Sequence, residues 1–220
     1  MDYMRPAQIE RESMAMIERE LNARGHMLPE ETKALVMRVI HTTADFDYAE
    51  NLRFTPDAVR LAQTALRGGT IVTDSNMALA GISRPALQKL GCSAYCFMAE
   101  PLIAQTAKER GVTRAVASMD HAAALFPGAV YAIGNAPTAL LRLTEHIEEG
   151  MRPALVIGVP VGFVNVTESK ERALAVCERY GVPAVIAWGN KGGSTVAAAI
   201  CNALLYQAAD LTAPESRAAL

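Results

Sequence analysis

The chain has 220 residues, 51% hydrophobic and 20% charged, which suits one globular domain of enzyme size built on a single sizeable core. Its net charge of −2 and pI near 6.1 give no overall basic field, so nucleic acid is not an expected partner. No apolar run approaches the roughly 18 residues of a membrane span, and Met1-Asp2-Tyr3-Met4-Arg5-Pro6 lacks the apolar segment of a signal peptide. The expectation is therefore no membrane and a cytoplasmic setting.

Cys92, Cys96, Cys177 and Cys201 contain no C-x-x-C pair and read as buried free thiols of a reducing compartment. His26, His41, His121 and His146 show no metal-ligand spacing, so no dedicated metal site is expected.

Ala7 to Arg24 reads as a helix closed by Gly25. Ile9, Met16, Ile17 and Leu21 form its expected inner face. Ser13 interrupts that stripe, and its hydroxyl either bonds its own backbone or meets a ligand. Pro29-Glu30-Glu31 opens a second helix, with proline at the first position and acids at the positive end of the dipole. Leu35, Val36, Val39 and Ile40 make its apolar stripe. His41 lies beside the stripe near the helix C-terminus, where the dipole favours imidazolium. Asp45 or Asp47 is placed to orient the ring. Such a histidine either moves a proton near neutral pH or caps the last carbonyls, and the local sequence leaves both readings open. Residues 1–54 thus read as an N-terminal helical part attached before the main fold.

Thr55-Pro56-Asp57 opens a third helix, stopped by Gly68-Gly69. Thr70 to Asp74 is a short buried-type strand, followed by helical pieces at Asn76–Ala80 and Ser83–Leu90. Further strands are expected at Ser93–Met98, Val130–Ile133, Ala154–Gly158 and Pro183–Ala187. Helices intervene at Pro101–Arg110, Thr113–Phe126, Pro137 to near Gly150, and Glu168–Tyr180. A last, alanine-rich helix runs from the Gly189–Thr195 loop to about Ala209. Residues 211–220 carry no core pattern and read as a frayed tail. Five strands separated by helices predict a five-stranded parallel sheet covered on both faces. The fold class is α/β, a three-layer α/β/α arrangement in one domain spanning 1–220.

In an open parallel sheet, ligands bind beyond the carboxyl ends of the strands. Here those ends are polar and glycine-rich: Asp74-Ser75-Asn76, Gly134-Asn135, Gly158 to Gly162, and Gly189 to Thr195. Loops that lead into helix N-termini suit anions. No G-x-G-x-x-G follows the first strand. The Gly189–Ser194 loop is not a Walker A motif, because its lysine precedes the glycine pair. Ser194 lacks a G-x-S-x-G elbow. Asp120-His121, on a helix, reads as a surface or packing pair. One titrating histidine, some arginines and a rim of backbone donors suit binding an acidic molecule and moving one proton.

Three stretches carry a more specific signal. They are Ala132-Ile133-Gly134-Asn135-Ala136-Pro137-Thr138-Ala139-Leu140; Gly158-Val159-Pro160-Val161-Gly162-Phe163-Val164 with Glu168-Ser169-Lys170; and Gly192-Gly193-Ser194. With them, the chain from about Arg11 to Asn202 resembles the precorrin-8X methylmutase (cobalt-precorrin-8 methylmutase) family of cobalamin (vitamin B12) biosynthesis. The resemblance implies a flavodoxin-like fold and a homodimer with active sites at the subunit interface. It implies an isomerase that moves a methyl group from C-11 to C-12 of precorrin-8X or cobalt-precorrin-8, giving hydrogenobyrinate or cobyrinate. The reaction would be a suprafacial 1,5-sigmatropic shift that needs no cofactor. The family's catalytic histidine falls on His41, its first-helix serine on Ser13, and its arginine after threonine on Arg114. Asn135, Thr138, Gly192, Gly193 and Ser194 would line the substrate site. Arg114 and the helix N-termini of the Asn135 and Ser194 loops would hold the substrate's acetate and propionate carboxylates. His41 would act as a general acid, help worth roughly 10²–10⁴-fold in rate. On the residues alone, the competing reading is a non-catalytic flavodoxin-like module for an anionic small molecule.

Overall fold

Residues 5–218 are described by a computed structural model. The first half holds α1 (Pro6–Ala23), α2 (Glu30–Thr43), α3 (Tyr48–Asn51), β1 (Leu52–Phe54), α4 (Ala58–Ala65), β2 (Thr70–Thr73), α5 (Asn76–Gly81), α6 (Arg84–Leu90), β3 (Ser93–Tyr95) and α7 (Pro101–Arg110). The second half holds α8 (Arg114–Leu125), β4 (Val130–Ile133), α9 (Pro137–Glu148), β5 (Leu155–Gly158), α10 (Val166–Tyr180), β6 (Ala184–Ala187), α11 (Ser194–Ala208) and α12 (Pro214–Ala218).

The strands form one sheet in the order β1-β6-β5-β4-β2-β3. β2 to β6 pair in parallel, in the positions that the sequence predicts. The sheet has six strands rather than five, because β1 joins its far edge antiparallel to β6, with Leu52 opposite Ala187 and Phe54 opposite Val185. Leu-Arg-Phe is too short to reveal a two-residue period in sequence. Its central Arg53 points to solvent, as suits an edge strand.

Side chains alternate between two cores across the pleat. Ile71, Val130, Ala132, Leu155, Ile157 and Val185 pack under α2, α4, α5, α6 and α11. Val72, Tyr131, Ile133, Val156 and Ile186 pack against α7 to α10. The sheet is therefore the middle of three layers. Strands with both faces covered read as unbroken apolar runs, which is why they were legible. α11 is buried along most of its length, and its alanines let α2, α4, α5 and α6 approach closely. His121 packs edge-on against Phe97 at 4.9 Å, and Asp120 pairs with Arg110, Arg142 and His146, so this dipeptide is structural.

Two expectations at the chain ends fail. Ile9 and Met16 of α1 are 50% and 61% exposed; the inner seam is Met14, Ile17 and Leu21. α1 packs chiefly on α2 and α12, so a narrow stripe suffices. The C-terminal segment is not frayed over its described part. Leu211 is buried, and the Arg217 guanidinium donates to the carbonyls of Leu211 (2.7 Å) and Thr212 (3.1 Å). Arg217 and Arg38 share the Glu10 carboxylate, and Glu215 pairs with Arg11. Charge pairs, not apolar periodicity, hold α12 down.

Candidate active site

Between β2 and β4 the strand order reverses, the point where an open α/β sheet offers a crevice. Asp74 follows β2 there and is fully buried. Its carboxylate accepts the N–H groups of Gly134 (2.8 Å), Asn135 (2.9 Å) and Ala136 (2.7 Å). Burial raises the Asp74 pKa, and these three N–H bonds act in the opposite direction. The backbone donors of the Asn135 loop are therefore already occupied by an internal anion. What that loop offers a ligand is the exposed Asn135 side chain and the half-buried Thr138. Sequence reasoning missed Asp74's role because its partners lie 60 residues on. The only local signal was an acid ending a buried strand.

The glycines of the rim answer to backbone crowding. A Cβ on Gly134 would stand 2.9 Å from Ala197 Cβ, the Gly193 oxygen and Ser194 Cα. A Cβ on Gly192 would stand 2.2 Å from the Val159 oxygen. Gly193 adopts φ 130° and donates its N–H to Val159 (2.9 Å). α11 then starts at Ser194 without a side-chain cap, which leaves its first N–H groups available to an anion. Ser194 Oγ lies 2.7 Å from Ser75 Oγ, tying this loop to the end of β2.

Behind the loop lies Lys170 of α10, fully buried, whose Nζ donates to the carbonyls of Gly189 (2.6 Å) and Lys191 (2.7 Å). Burial without a carboxylate partner lowers its pKa to about 8. In front of the loop, Lys191 Nζ bonds Asp45 and Asp47, each at 2.6 Å. That bridge fastens the glycine loop to the end of α2, the end that carries His41.

Two expectations about His41 change here. Asp45 and Asp47 do not orient its ring, since both carboxylates engage Lys191 and Asp45 also accepts the Asp47 N–H (3.0 Å). Imidazolium is not favoured either. Desolvation of the ring, then the positive charge of Arg38 one turn back, lower the His41 pKa below 6.5, while Glu10 opposes them. The capping reading is also set aside. The last carbonyls of α2 receive the Thr42 hydroxyl (onto Arg38, 2.9 Å), the Thr43 hydroxyl (onto Val39, 2.8 Å) and the Ala44 N–H (onto Ile40, 2.7 Å). His41 is left exposed and free to meet a ligand.

Arg114 opens α8, exposed and without an ion pair among the described residues. Thr113 caps α8 through the Val116 N–H (3.2 Å) and lies 3.5 Å from Thr138 Oγ1 across to α9. Contacts thus link the loop after α2, which follows His41, through Lys191 to the Gly192–Ser194 loop and Gly134, and separately link Thr138 to Thr113, the residue before Arg114. Ser13 is in neither set. α1 and α2 run antiparallel, with pairs Glu18–Lys33 and Glu10–Arg38, which sets Ser13 opposite the middle of α2 and His41 toward the start of α1. Beside the glycine loop, the 160–165 loop exposes Val161, Phe163 (90%) and Val164 to solvent. A cavity of about 620 Å³ lies between α1, α2, α11 and α12 and touches none of these residues. Of its charged lining, Glu10, Glu18, Lys33, Arg38 and Arg217 are paired with one another and Arg11 with Glu215. Among the described residues no group of three His, Cys, Asp or Glu is arranged to hold a metal ion, and no helix is long and apolar enough to cross a membrane.

The sequence profile of the family described as Precorrin-8X methylmutase matches residues 8–207. A cobalt-precorrin-8 methylmutase from Leptospira interrogans is 42% identical over 204 residues, covering 90% of this chain and 91% of the relative. A precorrin-8X methylmutase from Pseudomonas aeruginosa is 40% identical over 206 residues, covering 92% and 97%. The crystal structure of a precorrin-8X methylmutase from Thermus thermophilus superposes with a TM-score of 0.82 at 39% identity, covering 92% of this chain and 98% of that one. With matches of this extent along the whole fold, the chain belongs to the precorrin-8X methylmutase family.

Proposed function

We propose that this protein moves a methyl group from C-11 to C-12 of precorrin-8X or cobalt-precorrin-8, giving hydrogenobyrinate or cobyrinate, with His41 as general acid. Its membership of a methylmutase family makes it an isomerase of cobalamin biosynthesis. The carbon–carbon bond at C-11 breaks as that at C-12 forms, so composition is unchanged and no oxidant is required. A proton delivered to a ring nitrogen beside the migrating centre makes the macrocycle electron-poor and eases the shift. The observation that carries His41 is its freedom: among the described residues it caps nothing and pairs with nothing, and it stands at the end of α2 that Lys191 ties to the glycine loop.

A lowered pKa makes His41 a stronger acid but a less populated one at neutral pH. Substrate acetates and propionates docking beside it would raise that pKa and charge the ring where it is needed. Arg114, Asn135, Thr138 and the first N–H groups of α11, with Gly192, Gly193 and Ser194, are the proposed partners of those carboxylates. The order β3-β2-β4-β5-β6 of the parallel strands supports the flavodoxin-like reading, because it is that fold's order with an antiparallel strand added at one end.

A homodimer completes the site in this reading. It is supported by the exposed Val161, Phe163 and Val164 beside the rim, and by Ser13 lying away from the His41 end of α2. The direct test incubates purified protein with precorrin-8X and follows conversion by absorption. Formation of the corrinoid product supports the assignment, and an unchanged spectrum overturns it. Because the acid form of His41 is required, kcat/KM is expected to fall as pH rises, with a midpoint below 6.5.

A further inference from the structure

The motif Glu168-Ser169-Lys170 contains a charged side chain buried without a counter-ion, and the proposed mechanism leaves it unused. Lys170 reaches the sheet edge from beneath, and its two acceptors are main-chain carbonyls on either side of Asn190. Thr167, one turn earlier on α10, donates its hydroxyl to the Asn190 side chain (3.1 Å). Three consecutive residues of one loop are thus held from a single helix. Among the described residues no acidic side chain pairs with the Lys170 ammonium. Those of Asp45 and Asp47 are turned to Lys191 on the loop's outer side, and Glu168 and Glu171 are exposed. Burying an ammonium against two carbonyls is a costly way to satisfy two acceptors. A surface loop that needed only to be closed would leave those carbonyls to water.

We propose that Lys170 is a positioning residue which, with Thr167, clamps the Gly189–Lys191 turn and thereby sets both the glycine rim and the His41 end of α2. The link outward is the bridge from Lys191 to Asp45 and Asp47; the link along the chain is Gly192-Gly193 into the start of α11. The inference rests on the proposed function. The turn leads straight into the N–H groups proposed to hold the substrate carboxylates and reaches His41 only through the surface bridge of Lys191, so loosening it weakens substrate binding before it disturbs the proton step.

Lys170→Met keeps the side chain's length and removes both donors. It is expected to raise KM for precorrin-8X by about tenfold or more while changing kcat less, the reverse of His41→Ala. Lys170→Gln, whose amide serves one carbonyl, falls between. In ligand-free protein, amide exchange is expected to quicken at residues 189–194 and 41–47 and to stay unchanged in β4 and α8. Exchange that quickens everywhere, or KM and local exchange that both stay as in the wild type, overturns the clamp. Should Lys170→Met fail to fold, Thr167→Val tests the same turn from the surface. It is expected to give a smaller rise in KM with faster exchange at 189–194, and no change in either overturns the proposal. A wild-type protein that converts no precorrin-8X would sink the functional reading instead, with the exchange data still deciding the clamp.

Discussion

Asp74→Asn probes the carboxylate that holds β2 to the start of α9. The change is nearly isosteric, so it alters hydrogen bonding and charge with little change of volume. In the native protein the two oxygens accept three N–H groups, at 2.8, 2.9 and 2.7 Å. Turned so that its oxygen keeps the Asn135 and Ala136 bonds, an asparagine points its amide nitrogen at the Gly134 N–H, donor against donor. A hydrogen bond to a charged group is worth about 1.5–3 kcal/mol, and the buried donor left unmet costs about 1–3 kcal/mol. Relief from burying a charge returns part of this, leaving a loss of about 2 kcal/mol. For a domain of this size that is a fall of roughly 6 °C in Tm. Urea unfolding at neutral pH, with Asp74→Ala alongside, measures it. If Asp74→Asn unfolds within about 0.5 kcal/mol of the wild type, the usual span for changes that touch nothing important, the carboxylate is not anchoring the α9 N-terminus and this description of the crevice is wrong.

Other outcomes follow from the same geometry. Gly134→Ala would press a methyl against α11 at 2.9 Å and is expected to cost about 1–3 kcal/mol, seen as a lower urea midpoint. Lys170 carries a pKa of about 8 against an ordinary 10.5, so the unfolded chain binds the extra proton between these values and stability contributed by this site rises with pH there. The rise totals about 3 kcal/mol. Because Cys177 and Cys201, pushed up to about 12, act in the opposite sense, it is read as the wild-type minus Lys170→Met difference from pH 7 to 10. Burial raises the Glu10 carboxyl, but hydrogen bonds from Arg38 and Arg217 outweigh it and hold it below 4.5. Its contribution, about 1 kcal/mol after solvent screening, is present above that value and lost as pH falls through the folded pKa. The stability gap to Glu10→Gln should close in acid.

The parallel sheet was legible because β2, β4, β5 and β6 are almost entirely buried on both faces, so each is a short, nearly unbroken apolar run rich in β-branched residues. β1 was not legible, since three residues carry no period and their pairing with β6 is fixed by a contact more than 130 residues away. The inner face of α1 was misread because apolar content, not packing, marked Ile9 and Met16. α12 was missed because Glu10, Arg11 and Arg217 hold it by charge. At the site, His41, Arg114 and Ser194 stood out by residue type and loop position. The groups that arrange them did not. Asp74, Lys170 and Lys191 act through partners far along the chain, and an acid or a lysine in a loop carries no local sign of such a contact. The direction of the His41 pKa was likewise invisible, because it depends first on how far the fold desolvates the ring and then on the placement of Arg38 and Glu10.

The claim on which everything else rests is that His41 delivers a proton to a bound macrocycle. Single-turnover conversion of precorrin-8X by His41→Ala, with tetrapyrrole binding followed in the same cuvette, tests it most directly. Binding within a few-fold of the wild type, with methyl migration slowed by at least about 10²-fold, is the expected result. Migration at the wild-type rate in that variant would contradict it.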